Sequence, residues 1–127
     1  GRFDHDLAAL NVLVRQAARR CLVLAPENLV FLAPPELRLA LTEGDAVSLF
    51  PMGAVTAEAE GLVWPVEGLE FSPWGRIGTS NAARGPVRLR VSGPRMLVIL
   101  SRAALPEAVR ALAAPEAPGW PARGAVG

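Results

Sequence analysis

The chain has 127 residues, of which 51% are hydrophobic and 20% charged, a composition typical of a folded domain rather than of a disordered segment. The net charge of +1 gives no basis for general nucleic-acid binding, and the absence of lysine excludes a phosphate-loop lysine and a Schiff-base lysine on this chain. A single cysteine, Cys21, excludes a disulfide framework, and its place at the start of an apolar run predicts that it is buried.

The sequence contains no candidate membrane span, because the longest stretch without an ionisable side chain, residues 46–57, is too short to cross a bilayer. No signal peptide is visible at the start. We therefore expect a cytoplasmic protein that has no membrane or nucleic-acid partner. The chain begins with Gly1 rather than Met, so we also expect a fragment or a processed product of a longer protein.

The first 27 residues are typical of the end of an α/β layer. Apolar residues at helical spacing predict a helix over residues 4–20, with aspartates near its start and arginines near its end, as the helix dipole favours. Residues 21–24 predict a short buried strand. A helix followed by a buried strand is the usual ending of such a layer.

From Asn28 onward the hydrophobic pattern changes to that of short strands separated by Gly, Pro and acidic residues. The fold class that this pattern predicts is mainly β, an antiparallel β-sandwich or jelly roll over residues 28–101. The predicted strands cover residues 29–33, 37–41, 46–50, 55–60, 62–66, 87–91 and 96–101.

The last part of the chain, residues 102–127, has a different character. Residues 105–113 predict a short helix with Pro106 in its first turn. Residues 115–127 are rich in Pro, Gly and Ala and predict an unstructured tail, in which Trp120 has no assigned role.

One group of candidate functional residues lies at the start of the first helix. The guanidinium of Arg2 matches phosphate oxygens, the free N–H groups of a helix N-terminus favour anions, and Asp4 beside them could hold Mg²⁺. His5 is the only histidine and would act as a polar neighbour. The alternative is that Asp4 caps the helix and Arg2 makes a surface ion pair.

A second group consists of Thr79, Ser80 and Asn81, whose hydroxyls and carboxamide can bind the edge of a heteroaromatic ring. The alternative is an ordinary polar turn between strands. Trp64 could stack on a flat or cationic heterocycle, or it could be a core aromatic residue. Trp74 could belong to a lid or simply be exposed.

Five segments in order resemble thiamine pyrophosphokinase. They are residues 1–5 (GRFDH), 47–51 (VSLFP), 61–65 (GLVWP), 78–81 (GTSN) and the hairpin that ends near residue 101. The resemblance covers roughly the first four-fifths of the chain, and its strength comes from the ordered set rather than from any single motif.

The resemblance implies a specific reaction and architecture. The family transfers a pyrophosphoryl group from ATP to thiamine, giving thiamine diphosphate and AMP, with Mg²⁺. Its enzymes are homodimers in which the active site forms between the α/β domain of one subunit and the thiamine-binding sandwich of the other. On this pattern Arg2, Asp4 and His5 lie on the phosphate side, with Asp4 and Arg2 catalytic and Asp4 a metal ligand. Trp64, Ser80 and Asn81 bind thiamine, with Thr79 close by.

The domain division that follows is a remnant of the α/β catalytic domain over residues 1–27, the thiamine-binding sandwich over residues 28–101, and the short helix and tail over residues 102–127. The Asp-rich motifs of the family would precede Arg2 and are missing from this sequence, so we expect the isolated chain to be inactive. The alternative function is a non-catalytic β-sandwich that binds a ligand or mediates dimerisation.

Overall fold

Two antiparallel sheets that share one long strand form the centre of the molecule in the computed structural model, which describes residues 2–115 and 118–122. The elements in chain order are α1 (Phe3–Arg15), β1 (Leu22–Leu24), β2 (Asn28–Leu32), β3 (Glu36–Leu39), β4 (Ala46–Pro51), β5 (Val55–Leu62), β6 (Glu70–Phe71), β7 (Gly78–Val91), β8 (Met96–Ser101), a 3₁₀ turn (Arg102–Ala104) and α2 (Leu105–Ala113).

The shared strand is β7, which joins the two sheets. Its first part pairs with β4 in the first sheet, whose strand order is β1-β2-β8-β4-β7. Its second part lies between β3 and β5 in the second sheet, and β6 pairs with the start of β5. The predicted antiparallel β-sandwich is therefore confirmed.

The core lies between the sheets, and a second apolar layer lies outside the first sheet. Alternate residues of β8 illustrate this division: Met96, Val98 and Leu100 belong to the main core, whereas Leu97 packs with Leu13 of α1 in a separate cluster. Strand alternation requires this arrangement, because successive side chains point to opposite faces of a sheet. Thus α1 covers part of the outer face of the first sheet.

The N-terminal predictions need three corrections, one of which is that the strand Leu22–Leu24 is half-buried to exposed rather than buried. The helix ends at Arg15 rather than near residue 20, and Arg20 instead donates a hydrogen bond to the carbonyl oxygen of Leu112 at the end of α2. Cys21 is exposed rather than buried. It precedes β1, which is the outermost strand of the first sheet and pairs only with β2, so neighbouring chain does not cover it.

One strand prediction and the turn considered for residues 79–81 are also wrong. Residues 62–66 do not form a separate strand, because β5 continues through Gly61 to Leu62 and the chain then turns. Residues 79–81 lie inside β7 rather than in a turn. Ser, Thr and Asn favour turns because they tolerate irregular backbone, and an irregularity in β7 uses the same property.

The C-terminal elements pack against the sandwich. The predicted helix over residues 105–113 is confirmed as α2, which lies against β3. The tail prediction is partly outside the described residues, since 116–117 and 123–127 are not described. Trp120, to which the sequence assigned no role, donates from Nε1 to the carbonyl oxygen of Ala33 at 2.8 Å and contacts both apolar clusters.

No helix within residues 2–115 and 118–122 has the length and apolar character needed to cross a membrane. The predicted division into three parts stays a prediction. The boundary predicted between residues 27 and 28 falls at the end of a turn, and this turn joins the paired strands β1 and β2.

Candidate functional site

Trp64 and Asn81 meet where the loop after β5 runs beside the first part of β7. The Asn81 side chain binds both backbone groups of Trp64: Oδ1 accepts the Trp64 N–H at 3.0 Å, and Nδ2 donates to the Trp64 carbonyl oxygen at 2.9 Å. The Val63 N–H donates to the carbonyl oxygen of Ala82 at 2.9 Å. The peptide of Trp64 is therefore fixed against β7 in the manner of an added strand.

Asn81 is the one polar side chain that is buried in the described part of the chain, with 6% of its surface exposed. A buried carboxamide is costly unless its donors and acceptors are satisfied. Besides the two bonds to Trp64, its Oδ1 accepts the Ala82 N–H at 2.9 Å. The Asn81 carboxamide thus holds the Trp64 backbone in place, and little of the polar surface of this carboxamide remains open to a ligand.

Gly61 determines the direction in which the chain leaves β5 towards Trp64. Its φ is +88°, and a Cβ at this position would lie 2.0 Å from the carbonyl oxygen of Pro86. Only glycine fits such a left-handed backbone at this close approach between β5 and β7. The register between the two strands shifts at the same point, between Glu60 and Leu62.

The loop that carries Trp64 is also tied to β5 by Glu67. The Glu67 Oε1 accepts the N–H of Ala59 at 3.0 Å. This backbone hydrogen bond lowers the pKa of the Glu67 carboxyl below its ordinary value of 4.5. The carboxylate form therefore holds the loop against the strand at neutral pH.

A β-bulge in β7 displays Thr79 and Ser80. Val47 of β4 pairs with Asn81 and Leu49 pairs with Gly78, so that Ser48 alone lies opposite both residues. Ser80 has φ +66°, the one positive φ of a residue other than glycine in the described ranges. Its N–H donates to Ser48 Oγ at 3.1 Å.

The side chains of Trp64, Thr79 and Ser80 are exposed around the buried Asn81, and 64% of the Trp64 surface is accessible. Trp64 is therefore not a core aromatic residue. The open indole and the two hydroxyls that precede Asn81 in the chain offer a stacking surface and hydrogen-bonding groups, which is the chemistry that a flat, polar-edged heterocycle requires. The structure brings together these four predicted residues through β7 and the hydrogen bonds of Asn81.

Arg2, Asp4 and His5 lie elsewhere, on the exposed first turn of α1. Arg2 and Asp4 form an ion pair, with 2.9 Å between Arg2 Nη2 and Asp4 Oδ2, and the Asp4 side chain does not cap the helix. The hydrogen bonds and ion pairs described for these residues do not reach Trp64, Thr79, Ser80 or Asn81. The surface ion pair that the sequence left open as an alternative is thus present.

The described residues do not fit a Mg²⁺ site by themselves. Asp4 offers one carboxylate that is already paired with Arg2, and within residues 2–115 and 118–122 no three His, Cys, Asp or Glu side chains come together as metal ligands. We derive no step through a metal ion on this chain.

The arrangement defines a class of protein, a β-sandwich that displays an aromatic and hydroxyl-bearing site at the edge of a bulged strand. Residues 35–95 match the family model described as thiamin pyrophosphokinase, vitamin B1 binding domain. These residues therefore match the vitamin B1 binding domain of that family, and the predicted resemblance to thiamine pyrophosphokinase is confirmed.

The curated relatives of this chain include thiamine pyrophosphokinases. Thiamine pyrophosphokinase 1 of Oryza sativa is 35% identical over 88 residues, covering 64% of this chain and 33% of the relative. Thiamine pyrophosphokinase 1 of Arabidopsis thaliana is 34% identical over 91 residues, covering 66% of this chain and 34% of the relative. The chain thus spans about a third of the length of these relatives.

The likeness to solved structures concerns the fold alone. Thiamin pyrophosphokinase from Candida albicans superposes with a TM-score of 0.68 at 14% identity, covering 80% of this chain and 40% of that chain. The enzyme from Geobacillus thermodenitrificans gives 0.68 at 19% identity, covering 80% of this chain and 49% of that chain.

Sequence reasoning missed Ser48, although it lies in the 47–51 segment that carries the resemblance. The available signal was a hydroxyl in the middle of an otherwise apolar strand. Its partner lies 32 residues away, and only the register of β4 with β7 reveals the contact.

Proposed function

We propose that this chain is the thiamine-binding part of a thiamine pyrophosphokinase, which transfers the pyrophosphoryl group of ATP to the hydroxyethyl oxygen of thiamine and releases AMP. One observation carries the proposal: the predicted thiamine residues Trp64, Thr79, Ser80 and Asn81 all fall inside the matched range 35–95 and gather at one place on the sandwich.

In the proposed site each residue has a distinct task. The exposed indole of Trp64 stacks on a thiamine ring, and the hydroxyls of Ser80 and Thr79 bind its polar edge. Asn81 contributes by fixing the Trp64 backbone, since its carboxamide is already bonded there. These residues hold the alcohol in place for transfer, and positioning of this kind is a large part of phosphoryl-transfer catalysis.

Arg2, Asp4 and His5 belong to the phosphate side in this proposal, with ATP and Mg²⁺ as the family resemblance implies. Their support is the exposed guanidinium at the start of α1, where helix N–H groups favour anions. We expect Asp4→Asn to lower kcat and to leave the thiamine KM nearly unchanged. A higher thiamine KM with the same kcat would place Asp4 on the thiamine side instead.

The activity is tested with the protein expressed from its complete coding sequence and with the 127-residue chain. Given ATP, Mg²⁺ and thiamine, the complete protein should form thiamine diphosphate, and the 127-residue chain should form none above background. Thiamine binding without turnover by the complete protein would favour the non-catalytic binding module. Turnover by the 127-residue chain would mean that its own residues are sufficient for the reaction.

The thiamine site is tested with two exposed tryptophans of the complete protein. Trp64→Ala should raise the thiamine KM by a factor that corresponds to about 1–3 kcal/mol of lost stacking. Trp74→Ala removes an indole that is also largely exposed, and it serves as the matched control. Equal effects of the two substitutions, or none for Trp64→Ala, would place the site elsewhere.

The resemblance also implies a cytoplasmic homodimer whose active sites combine the sandwich of one subunit with the α/β part of the other. Mixed dimers test this arrangement, because one carrying Asp4→Asn on one subunit and Trp64→Ala on its partner would retain one intact site. Mixing the two variants at low thiamine concentration should therefore restore activity. A monomeric protein, or mixtures no more active than the separate variants, would contradict the shared site.

A further inference from the structure

We infer that Ser48 is a positioning residue for the thiamine site: its hydroxyl holds the backbone of Ser80 in the bulge conformation that displays the Ser80 side chain. The inference deepens the proposed function and rests on it, because Ser80 matters for binding only if the thiamine site lies here. Ser48 itself need not touch the ligand.

The register of the sheet gives Ser48 this place. Its neighbours Val47 and Leu49 are each 1% exposed and are paired with Asn81 and Gly78. Ser48 is also paired with Ile99 of β8 on the other side of β4. The Ser48 backbone is therefore held on both sides, and its hydroxyl has a well-defined position from which to meet the bulge.

The bulge in β7 provides a backbone N–H that the Ser48 hydroxyl can bind. Two residues of β7 lie opposite Ser48, so Thr79 and Ser80 have no regular partner in the ladder with β4. The Ser80 N–H donates instead to Ser48 Oγ at 3.1 Å. A side-chain oxygen thus takes the place that a backbone carbonyl occupies in a regular antiparallel pair.

The backbone of Ser80 requires such support. A φ of +66° is sparsely populated by residues with a Cβ, and it persists only where surrounding contacts impose it. Asn81 is held by its bonds to Trp64 on one side of Ser80, and Ser48 holds Ser80 itself. Relaxation of Ser80 to ordinary extended backbone would turn its Cα–Cβ bond away and move the hydroxyl relative to Trp64.

The experiment compares three serine variants in the protein expressed from its complete coding sequence. Ser48→Ala removes the acceptor, and Ser48→Thr keeps a hydroxyl and should restore the behaviour of the original protein. Ser92→Ala is the matched control, because Ser92 Oγ also accepts a backbone N–H, that of Thr56 in β5 at 2.9 Å, at the opposite end of β7 from Ser80.

Two readouts separate positioning from catalysis. Hydrogen exchange of the segment that contains Ser80 should become faster in Ser48→Ala and stay unchanged in Ser92→Ala. The thiamine KM should rise about three- to tenfold in Ser48→Ala with kcat changed less than about twofold, as expected for loss of one hydrogen bond that orients a binding group. Ser92→Ala should leave the thiamine KM unchanged.

A double-mutant cycle with Ser80→Ala shows whether Ser48 acts through the Ser80 hydroxyl. In the Ser80→Ala background that hydroxyl is gone, so Ser48→Ala should cause little further increase in thiamine KM. Additive effects would mean that Ser48 acts independently of Ser80, and they would overturn the inference.

The outcomes distinguish this inference from the proposed function. If Ser80→Ala raises the thiamine KM but Ser48→Ala changes neither KM nor exchange, Ser48 is not a positioning residue and the thiamine site stands. If Ser80→Ala leaves the thiamine KM unchanged, the site assignment fails and the inference falls with it. Loss of folding in Ser48→Ala alone, with Ser48→Thr normal in exchange but raised in KM, would also contradict the inference.

Discussion

Asn81 is the residue on which the geometry of the candidate site depends most directly. Its side chain supplies a donor and an acceptor to the Trp64 backbone from a buried position. A substitution here therefore acts on two things at once, the stability of the sandwich and the placement of the indole. Most surface residues of a binding site affect only the second.

We expect Asn81→Ala to lower the free energy of unfolding by about 1–3 kcal/mol, because it leaves the N–H and carbonyl groups of Trp64 without their partner. It should also raise the thiamine KM in the complete protein. Trp64→Ala should raise the thiamine KM with a change in stability below about 0.5 kcal/mol, because the indole is exposed. Urea unfolding and steady-state kinetics measure the two effects.

Asn28→Ala provides a matched control for Asn81. The Asn28 carboxamide also donates to a backbone carbonyl, that of Leu100 at 3.3 Å, within the first sheet and away from Trp64. It should lower stability and leave the thiamine KM unchanged. If Asn28→Ala and Asn81→Ala raise the thiamine KM equally, the hydrogen bonds between Asn81 and Trp64 have no special role in thiamine binding.

The sequence was sufficient to select Trp64 and the 79–81 segment, because the resemblance carries residue types at given positions. It could not show that Asn81 is buried and engaged with Trp64, since that contact joins a loop to a strand 17 residues later. The polar composition of residues 79–81 instead predicted a turn. A bulge and a turn favour the same residues, and only the pairing of β7 on both sides separates them.

Among the elements, β5 and β7 show how one glycine permits a close approach between two paired strands at a register shift. We expect Gly61→Ala to lower the free energy of unfolding by about 2–4 kcal/mol, because it combines a left-handed φ with a contact at 2.0 Å to Pro86 O. Gly44→Ala has a φ of +93° and open space, so it should cost about 1 kcal/mol. Gly93→Ala, with open space and no positive φ, should change stability by less than about 0.5 kcal/mol.

Urea unfolding of the three alanine variants separates backbone strain from steric overlap. A loss in Gly61→Ala no larger than that in Gly44→Ala would mean that the strands separate easily at this point. The close approach between β5 and β7 would then not be a fixed feature of the fold.

Helix α2 is attached to β3 by a carboxylate. Glu107 Oε2 accepts the Ala40 N–H at 2.7 Å, and Glu107 pairs with Arg110 at 2.6 Å. The Arg110 guanidinium in the first place, and the Ala40 N–H with it, lower the pKa of the Glu107 carboxyl below its ordinary value of 4.5.

A lowered folded-state pKa stabilises the protein above pH 4.5, and this contribution is lost as the pH falls through the folded-state value. We therefore expect Glu107→Gln to be less stable than the original protein by about 0.5–1 kcal/mol at pH 7, because solvent screens this pair, with a difference that shrinks towards pH 3. Urea unfolding at pH 7, 5, 4 and 3 measures this. A difference that stays constant with pH would show that the charge of Glu107 contributes nothing.

At the level of elements the sequence predicted the apolar strand β8 and the helix α2 with little error. It failed where tertiary contacts override local pattern. The residues after Arg15 have good helix propensity, yet the chain leaves the helix there and Arg20 binds the end of α2. The continuation of β5 through Gly61 likewise depends on pairing with β7.

At the scale of the whole molecule, α1 has apolar residues that are buried against the sandwich and others that are exposed. One face packs on the first sheet, where Leu13 is 3% exposed against Leu32 and Leu97. Phe3 and Leu7, which lie towards the N-terminal end of α1, and Val12 are exposed. The helix therefore packs on the sandwich around Leu13 and leaves other apolar side chains uncovered.

Truncation of a buried and of an exposed leucine of α1 should change the stability of the chain by different amounts. We expect Leu13→Ala to lower the free energy of unfolding of the 127-residue chain by about 2–4 kcal/mol through loss of burial and an unfilled cavity. Leu7→Ala should cost less than about 1 kcal/mol, because half of this side chain is already in water. Leu7→Asp should reduce binding of a fluorescent apolar dye to the folded chain with little change in its unfolding midpoint, since it breaks up the exposed patch. Equal losses of stability in Leu13→Ala and Leu7→Ala would show that Leu7 is also covered in solution. Self-association of the chain through α1 would then explain why Leu7 is exposed in the structure of the single chain.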